Sequence, residues 1–379
     1  MKILHTSDLH LGKRINGISM LDEQKHILNK ILEIAEIEQP DAIILAGDIY
    51  DKSVPSAEAI TLFDDFLVKL ANLQKTIFII SGNHDSAERI AFASRLLGSC
   101  NVYVSPVYNG KIEPVILNDA NGEVAFYLMP FIKPSIVQHF AGEEVDLRSY
   151  NEAMKFAIEQ LNVDTNRRNV LITHQFITDA ERSESEDTMV GGLDNIDASV
   201  FSQFDYVALG HLHRPQACGN NAVRYSGSPL KYSFSEVKDN KSVTIINLEG
   251  QLDFKLIPLK PLHDWHDLRG SYDELTSKSY YDGKTYQEDY IRITLTDEDD
   301  IPDGMRKLQT IYHNLMEIKY DNKRTKAGFV SVSVAENQEK KTPTDLFEEL
   351  YKKQNAQSLS DVQRNYIDNL INDIWNNNL

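Results

Sequence analysis

The chain has 379 residues, 41% of them hydrophobic and 25% charged, with a formal net charge of −18. That length predicts two or three domains with a sizeable core, and the longest apolar run, within 41–47, is far too short to span a bilayer. The acidic balance excludes broad attraction to nucleic acid, which Lys and Arg drive by counterion release. It leaves a phosphodiester substrate open, because bound metal ions reverse the local sign of a carboxylate site.

Met1 and Lys2 lead straight into Ile3-Leu4-His5, with no signal-peptide core. Lys2 to Thr6 reads as a strand. Asp22 to Glu38 reads as a helix, with Ile27, Leu28, Ile31, Leu32 and Ala35 on one face. Ala42 to Ala46 and Thr76 to Ile80 are buried strands around a helix from Ala57 to Leu73, and a further helix is expected from Ser86 to Leu97. Buried strands alternating with amphipathic helices predict an α/β fold with largely parallel pairing. Tyr103 to Met129 is strand-like, and Asn151 to Leu161 helical. Asn169 to Thr173 and Tyr206 to Leu209 are two more buried strands. The aperiodic stretch from Asp179 to Asp194 reads as a loop beside the site, mobile or simply solvated. Cys100 and Cys218 are far apart and fit two free thiols in a reducing cytoplasm.

A boundary is expected near Pro258 to Pro261. Beyond it, strands at Tyr290 to Leu295 and Phe329 to Val334 flank a helix from about Pro302 to Ile318, a small α/β domain. Thr342-Pro343 matches a helix N-cap followed by proline. Two amphipathic helices follow, the second carrying Val362, Tyr366, Ile367, Leu370, Ile371 and Ile374 at helical spacing. The expected division is therefore 1–260, a larger α/β domain; 261–340, a small α/β domain; and 341–379, terminal helices.

Five short motifs carry the chemistry: Asp8-Leu9-His10, Gly47-Asp48, Gly82-Asn83-His84-Asp85, Thr173-His174-Gln175 and Gly210-His211-Leu212-His213. Each falls at or just after the C-terminal end of a predicted strand, the edge where open α/β sheets place their sites. Strand alternation would put Asp8 and His10 on one side, and His211 and His213 likewise. Two divalent ions about 3.5–4 Å apart activate water and clamp the oxygens of a phosphodiester, and a pair that close needs a bridging anion. Asp48 is the natural bridge, Asn83 offers a neutral oxygen, and His174 completes the set. His84 should point away from Asn83 and serve as general acid or transition-state stabiliser. Asp85 orients it or caps the following helix. Imidazoles mixed with carboxylates suit Mn²⁺, Fe²⁺ or Zn²⁺ better than Mg²⁺ or Ca²⁺, and Mn²⁺ is the expected ion. Singly, each motif has a structural explanation, such as a turn at Gly82-Asn83 or a core histidine at His174. Jointly, in this order, they point to a two-metal hydrolase.

These motifs resemble the calcineurin-like metallophosphoesterase superfamily and, within it, the bacterial SbcD nucleases, which act with an SbcC ATPase on DNA ends. The closer likeness rests on Thr6 to Gly12, Gly47 to Asp51, Val190 to Asp194, Ala208 to Pro215, Tyr225 to Leu230 and Tyr232 to Glu236. The resemblance implies a β-sandwich flanked by helices. It implies one metal at Asp8, His10, Asp48 and His213, a second at Asp48, Asn83, His174 and His211, and a catalytic His84. Where archaeal and eukaryotic relatives carry a further histidine, this chain has Asp51. It further implies a cytoplasmic Mn²⁺-dependent DNA exonuclease and endonuclease serving repair, recombination and replication. Its partners would be DNA, a coiled-coil SbcC-type ATPase docked on the terminal helices, and a second copy, in a heterotetramer. Leu62, Phe63, Phe66, Leu67, Ile90, Ala93 and Leu97 are candidates for the homodimer face, against the alternative of core packing. Lys13, Arg14, Arg89 and Arg214 lie beside the motifs and could meet phosphates. Two other readings stay open: another superfamily enzyme, a cyclic nucleotide phosphodiesterase or protein phosphatase, and a DNA-end scaffold.

Overall fold

The first strand, β1 (Lys2–Thr6), is buried along all but its first residue, as a central strand should be. A short hairpin, β2 (Arg14–Ile15) with β3 (Ile18–Ser19), precedes α1 (Leu21–Glu38), which buries Ile27, Leu28, Ile31 and Ala35. Then come β4 (Ala42–Ala46), α2 (Ala57–Asn72) and β5 (Thr76–Ile80). The Ser56 side chain caps α2 by accepting the Ala59 amide. Two single turns follow, α3 (Ala87–Ile90) and α4 (Ser94–Leu97), then β6 (Val102–Val104), β7 (Val115–Asp119) and β8 (Gly122–Leu128). The expected helix from Ser86 to Leu97 is thus broken, at Ala93, whose backbone is left-handed (φ 59°). Next are α5 (Pro134–Ala141) and α6 (Tyr150–Glu159), the latter opened by a reciprocal capping box between Ser149 and Glu152. β9 (Arg168–His174), β10 (Tyr206–Gly210), β11 (Gln216–Cys218), β12 (Asn220–Tyr225), β13 (Ser242–Asn247) and β14 (Asp253–Pro258) complete this part.

These strands form two six-stranded sheets, ordered β14-β13-β1-β4-β5-β6 and β11-β12-β10-β9-β8-β7. β1, β4, β5 and β6 run parallel, as do β8, β9, β10 and β12; β13 on β1, β14 on β13, β11 on β12 and β7 on β8 are antiparallel. The sheets face each other across Ile3, Ile44, Phe78 and Ile80 on one side and Phe126, Val170, Ile172 and Ala208 on the other. Phe78 stacks on Phe126 with ring centroids 4.4 Å apart. The outer face of the first sheet packs on α1 and α2, that of the second on α5 and α6. The β-sandwich between helical layers agrees with the expected fold class.

The computed structural model describes residues 1–142, 145–178, 180–186, 195–250, 252–326, 343–355 and 357–376. They divide into two compact units, Met1–Asp264 and Trp265–Leu379. In the second unit, β15 (Trp265–Gly270) leads through α7 (Tyr272–Thr276) and α8 (Lys278–Tyr281) to β16 (Tyr290–Leu295). α9 (Gly304–Gln309) and β17 (Asn314–Tyr320) follow, and the three strands pair in parallel. The expected helix therefore stops at Gln309. Leu315, Met316 and Ile318 belong to a strand instead, because pairing with β16 buries Leu315 and Met316 and outweighs the local helix preference of these two. The expected strand at Phe329 to Val334 lies outside the described residues, as do Thr342 and the Val190 to Asp194 motif. After α10 (Lys323–Lys326), α11 (Pro343–Asn355) and α12 (Asp361–Asn376) form an antiparallel hairpin. It is joined by Arg364 to Glu348 (2.8 Å) and the Thr344 hydroxyl to Asp368 (2.6 Å). No helix among the described residues is long and apolar enough to cross a membrane.

Candidate metal centre

The loops after β1 and β4 run side by side. The amides of Asp8, His10 and Leu11 donate to the carbonyls of Gly47 (3.0 Å), Asp48 (2.9 Å) and Ile49 (3.0 Å). The second sheet meets them through Gly210. A Cβ there would lie 1.9 Å from the Ala46 carbonyl oxygen and 2.6 Å from His174 Nδ1, so only glycine lets the two sheets' edges come this close. Gly82 has the same role in the third motif, where a Cβ would fall 2.1 Å from Asp48 Oδ1.

The expected strand alternation of Asp8 with His10, and of His211 with His213, does not hold. β1 ends at Thr6 and β10 at Gly210. Asp8 (φ 55°), His10 (φ 45°), Asp48 (φ 49°) and His211 (φ 105°) instead take left-handed backbone conformations. Such residues cost on the order of 1–3 kcal/mol each and persist where their surroundings over-determine them, characteristically at functional sites. Here the strain bends the loops after β1, β4 and β10 so that their side chains converge.

All eight predicted site residues come together. Asp48 Oδ2 lies 3.3 Å from His174 Nε2, 3.6 Å from His10 Nε2 and 4.0 Å from His84 Nε2. His10 Nε2 and His213 Nε2 are 3.1 Å apart. Asn83 Oδ1 is 3.0 Å from both His174 Nε2 and His211 Nδ1. Asp8 Oδ1 accepts the His211 amide (3.0 Å) and lies 4.0 Å from His174 Nε2; its other oxygen accepts the Ser7 hydroxyl. Three triads have ligand atoms within 4.8 Å of one another: Asp8, His10 and His213; His10, Asp48 and His84; and Asp8, Asp48 and His174. This set of imidazole nitrogens with carboxylate and amide oxygens fits borderline divalent ions.

Electrostatics point the same way. Burial opposes the Asp48 charge, yet His174, His10 and His84 hold its carboxyl well below the usual range. Burial likewise opposes charge on His174, but Asp48 and Asp8 raise its pKa to about 9. His211 is pushed down to about 3 and His10 well below its ordinary value, both mainly by burial. Burial also raises Asp8. Without an ion, one proton on His174 serves as counter-charge, and a divalent cation would replace it.

His84 differs from its neighbours. Its side chain is 20% exposed, against 0–2% for His10, His174 and His213. Its Nδ1 faces the Asp51 carbonyl oxygen at 3.1 Å, which turns Nε2 toward the pocket. Asp85 does not cap the following helix; Ser86 does. Asp85 accepts the amides of Gly82 (3.0 Å), Ile49 (3.1 Å) and Tyr50 (2.9 Å), tying the third motif to the second. Burial and the nearby Asp48 raise its pKa to about 6.

Sequence reasoning missed the layer beneath. His213 Nδ1 donates to Ser185 Oγ (2.6 Å), which donates to the wholly buried Glu236 carboxylate (2.5 Å). Lys241 Nζ meets Glu236 (2.5 Å) and the His213 carbonyl oxygen (2.8 Å), while Glu186 accepts the His213 amide (2.6 Å). Residues 180–186 of the aperiodic stretch are therefore stitched to the centre; residue 179 and residues 187–194 lie outside the described ones. On the other flank, the Tyr232 hydroxyl donates to the Leu9 carbonyl (2.5 Å) and Gln24 to that of His10 (2.7 Å). The only sequence signal was the polar run Tyr232 to Glu236; its burial was not readable.

Of the basic candidates, Lys13 pairs with Asp51 (2.7 Å), and Arg214 with Asp239 (3.0 Å) and Glu181. Arg14 bonds the Gly17 carbonyl. Of the candidate dimer face, Phe63 and Phe66 belong to the core, and Leu62, Leu67, Ile90 and Leu97 pack partly against it. Large apolar side chains left open nearby include Phe92 (81% exposed), Leu96 (75%) and Val68 (53%), with Ile60 on the same helix as Val68.

The profile of the calcineurin-like phosphoesterase family matches residues 1–215, and that of the type 5 capsule protein repressor C-terminal domain matches residues 258–355. The SbcD component of the SbcCD nuclease of Staphylococcus epidermidis is 34% identical over 98% of both chains. Its counterpart of the same name from Staphylococcus saprophyticus is 35% identical over 84% of both. A dimetal phosphatase structure from Danio rerio covers 69% of this chain and 99% of its own, at a TM-score of 0.41 and 11% identity. With more than half its length matched by the first profile and such relatives along nearly all of it, the chain belongs to the calcineurin-like phosphoesterases and, within them, to the SbcD family of nuclease subunits.

Proposed function

We propose that this hydrolase is the DNA-cutting subunit of an SbcCD-type complex and works with two divalent ions, Mn²⁺ by preference. Asp8, His10, Asp48 and His213 would hold one ion, and Asp48, Asn83, His174 and His211 the other. Bound there, the ions would supply an activated water and a clamp on the phosphodiester oxygens. The observation that carries this reading is Asp48, whose single Oδ2 lies within 4.0 Å of three imidazole nitrogens. His84 is the proposed general acid. With Nδ1 on the Asp51 carbonyl, Nε2 faces the Asp48 carboxylate at 4.0 Å, the side from which it would pass a proton to the leaving oxygen. The rival role, a ligand in the triad with His10 and Asp48, predicts loss of an ion when His84 is replaced.

With a net charge of −18, and with Lys13 and Arg214 already paired to carboxylates, tight DNA binding requires added positive surface. An SbcC-type ATPase would supply it, docking on the hairpin of α11 and α12, where Leu346, Phe347, Leu350, Val362, Tyr366 and Leu370 are exposed. A second copy would meet the first around Phe92, Leu96 and Val68.

The test is linear duplex DNA incubated with purified protein, Mn²⁺ and the ATPase. Degradation abolished by EDTA is expected. No degradation, or degradation indifferent to EDTA, would sink the reading, and hydrolysis of cyclic nucleotides or phosphopeptides instead would replace it with another superfamily activity. DNA affinity measured across salt should rise and steepen when the ATPase is added; equal affinities would contradict its role.

A further inference from the structure

The buried carboxylate Glu236 has no place in the ligand set, yet it lies directly behind one ligand. We propose that Ser185 and Glu236 form a positioning relay that fixes the His213 ring, presenting Nε2 to the ion shared with Asp8 and His10. The inference rests on the two-ion reading of the same site.

Three observations carry it. His213 Nδ1, Ser185 Oγ and Glu236 Oε1 form a continuous chain, with steps of 2.6 and 2.5 Å, that ends on a carboxylate. The direct distance from His213 Nδ1 to Glu236 Oε1 is 3.6 Å, so the serine hydroxyl is the intermediary. With the carboxylate as acceptor, Ser185 must donate to Glu236 and accept from Nδ1–H, which leaves Nε2 as a lone-pair donor. A metal-ligating histidine is commonly oriented by a carboxylate behind it; here a hydroxyl is interposed.

Glu236 is itself over-determined. Lys241 meets its other oxygen, Ser233 Oγ lies 3.1 Å away, and the Tyr232 amide donates at 3.4 Å. Lys241 also bonds the His213 carbonyl, so one cation sets both the carboxylate and the backbone of the residue it orients. Ser185 comes from the loop after β9, and Glu236 from the segment between β12 and β13. The chain therefore couples that loop to one ion and not the other: His174 uses the Ala46 carbonyl in the corresponding place, at 2.8 Å.

The test is calorimetric titration of full-length metal-free protein with Mn²⁺, comparing wild type, Ser185→Ala, Glu236→Gln and the double variant. Melting temperatures of the metal-free forms and circular dichroism would be recorded alongside. Wild type should bind two ions. Ser185→Ala, which leaves the Glu236–Lys241 pair in place, should weaken one of them about tenfold or more while the other is unchanged. Glu236→Gln should weaken the same ion, and the double variant should be no worse than the poorer single, because a relay broken once is broken. Folded single variants that bind both ions as wild type does, or that weaken both equally, would overturn the relay. A wild type that fails to bind two ions would overturn the two-ion reading instead.

Discussion

His174 and His213 stand on opposite sides of one centre and are held in different ways. His174 closes β9, a strand with a neighbour on each side, and its Nδ1 donates to the carbonyl of Ala46 at the end of a strand in the facing sheet. His213 sits beyond its strand, and its Nδ1 is held by a serine on a loop. The first imidazole can turn only if the sandwich opens; the second is as firm as residues 180–186. On the proposed two-ion reading, a rigid half held by strands and an adjustable half held by a loop share Asp48. The lesson is that both halves must be assembled before the shared carboxylate can serve two ions, and that they should fail differently.

Removing what they share should have the largest effect. Asp48→Asn should abolish both Mn²⁺ sites in a titration and lower DNA cleavage on the order of 10³-fold or more. His84→Gln should lower cleavage by about 10²–10⁴-fold, the usual range for a lost general acid, with both ions retained. Gly210→Ala would drive a Cβ into the Ala46 carbonyl and His174. Overpacking of this kind typically costs about 1–3 kcal/mol, so its melting temperature should fall and the rigid half should lose its ion first.

A pH series sharpens the contrast. His174, with a pKa near 9 in the ion-free centre, must lose its proton before Nε2 can bind an ion. Apparent Mn²⁺ affinity should therefore rise as pH climbs toward 9, and titrations in buffers of different ionisation enthalpy at about pH 7.5 should show proton release. No release would mean that His174 is already neutral. The smallest effect lies far from the centre. Asp119 is held well below the usual carboxylate range, mainly by Arg168 with help from the chain's amino terminus (2.7 Å). A depressed pKa stabilises the fold above the unfolded value of about 4 and is lost as pH falls below it. Asp119→Asn should cost about 1 kcal/mol at neutral pH, read as a lower chemical-denaturation midpoint, with the difference from wild type vanishing in acid.

The sequence made the rigid half legible and the adjustable half much less so. β4, β5, β9 and β10 each carry an apolar run that leads within two residues to a glycine or a candidate ligand, so strand positions and site edge could both be read. The left-handed turns at Asp8, His10 and His211 could not, because they follow from close approach of two sheets and not from local preference. Ser185, Glu236 and Lys241 look like ordinary polar residues until burial makes their pairing obligatory. In the smaller unit, residues 310–318 carry a helical pattern in the sequence yet do not continue the helix, because β17 exists only through its pairing with β16.

The most direct test of the two-ion account is to count bound Mn²⁺ and measure duplex DNA cleavage for wild type and His84→Gln under identical conditions with the ATPase present. The account predicts two ions in both proteins and cleavage only in wild type. One ion in His84→Gln would make His84 a ligand, and wild-type cleavage by that variant would remove it from the chemistry; either contradicts the account.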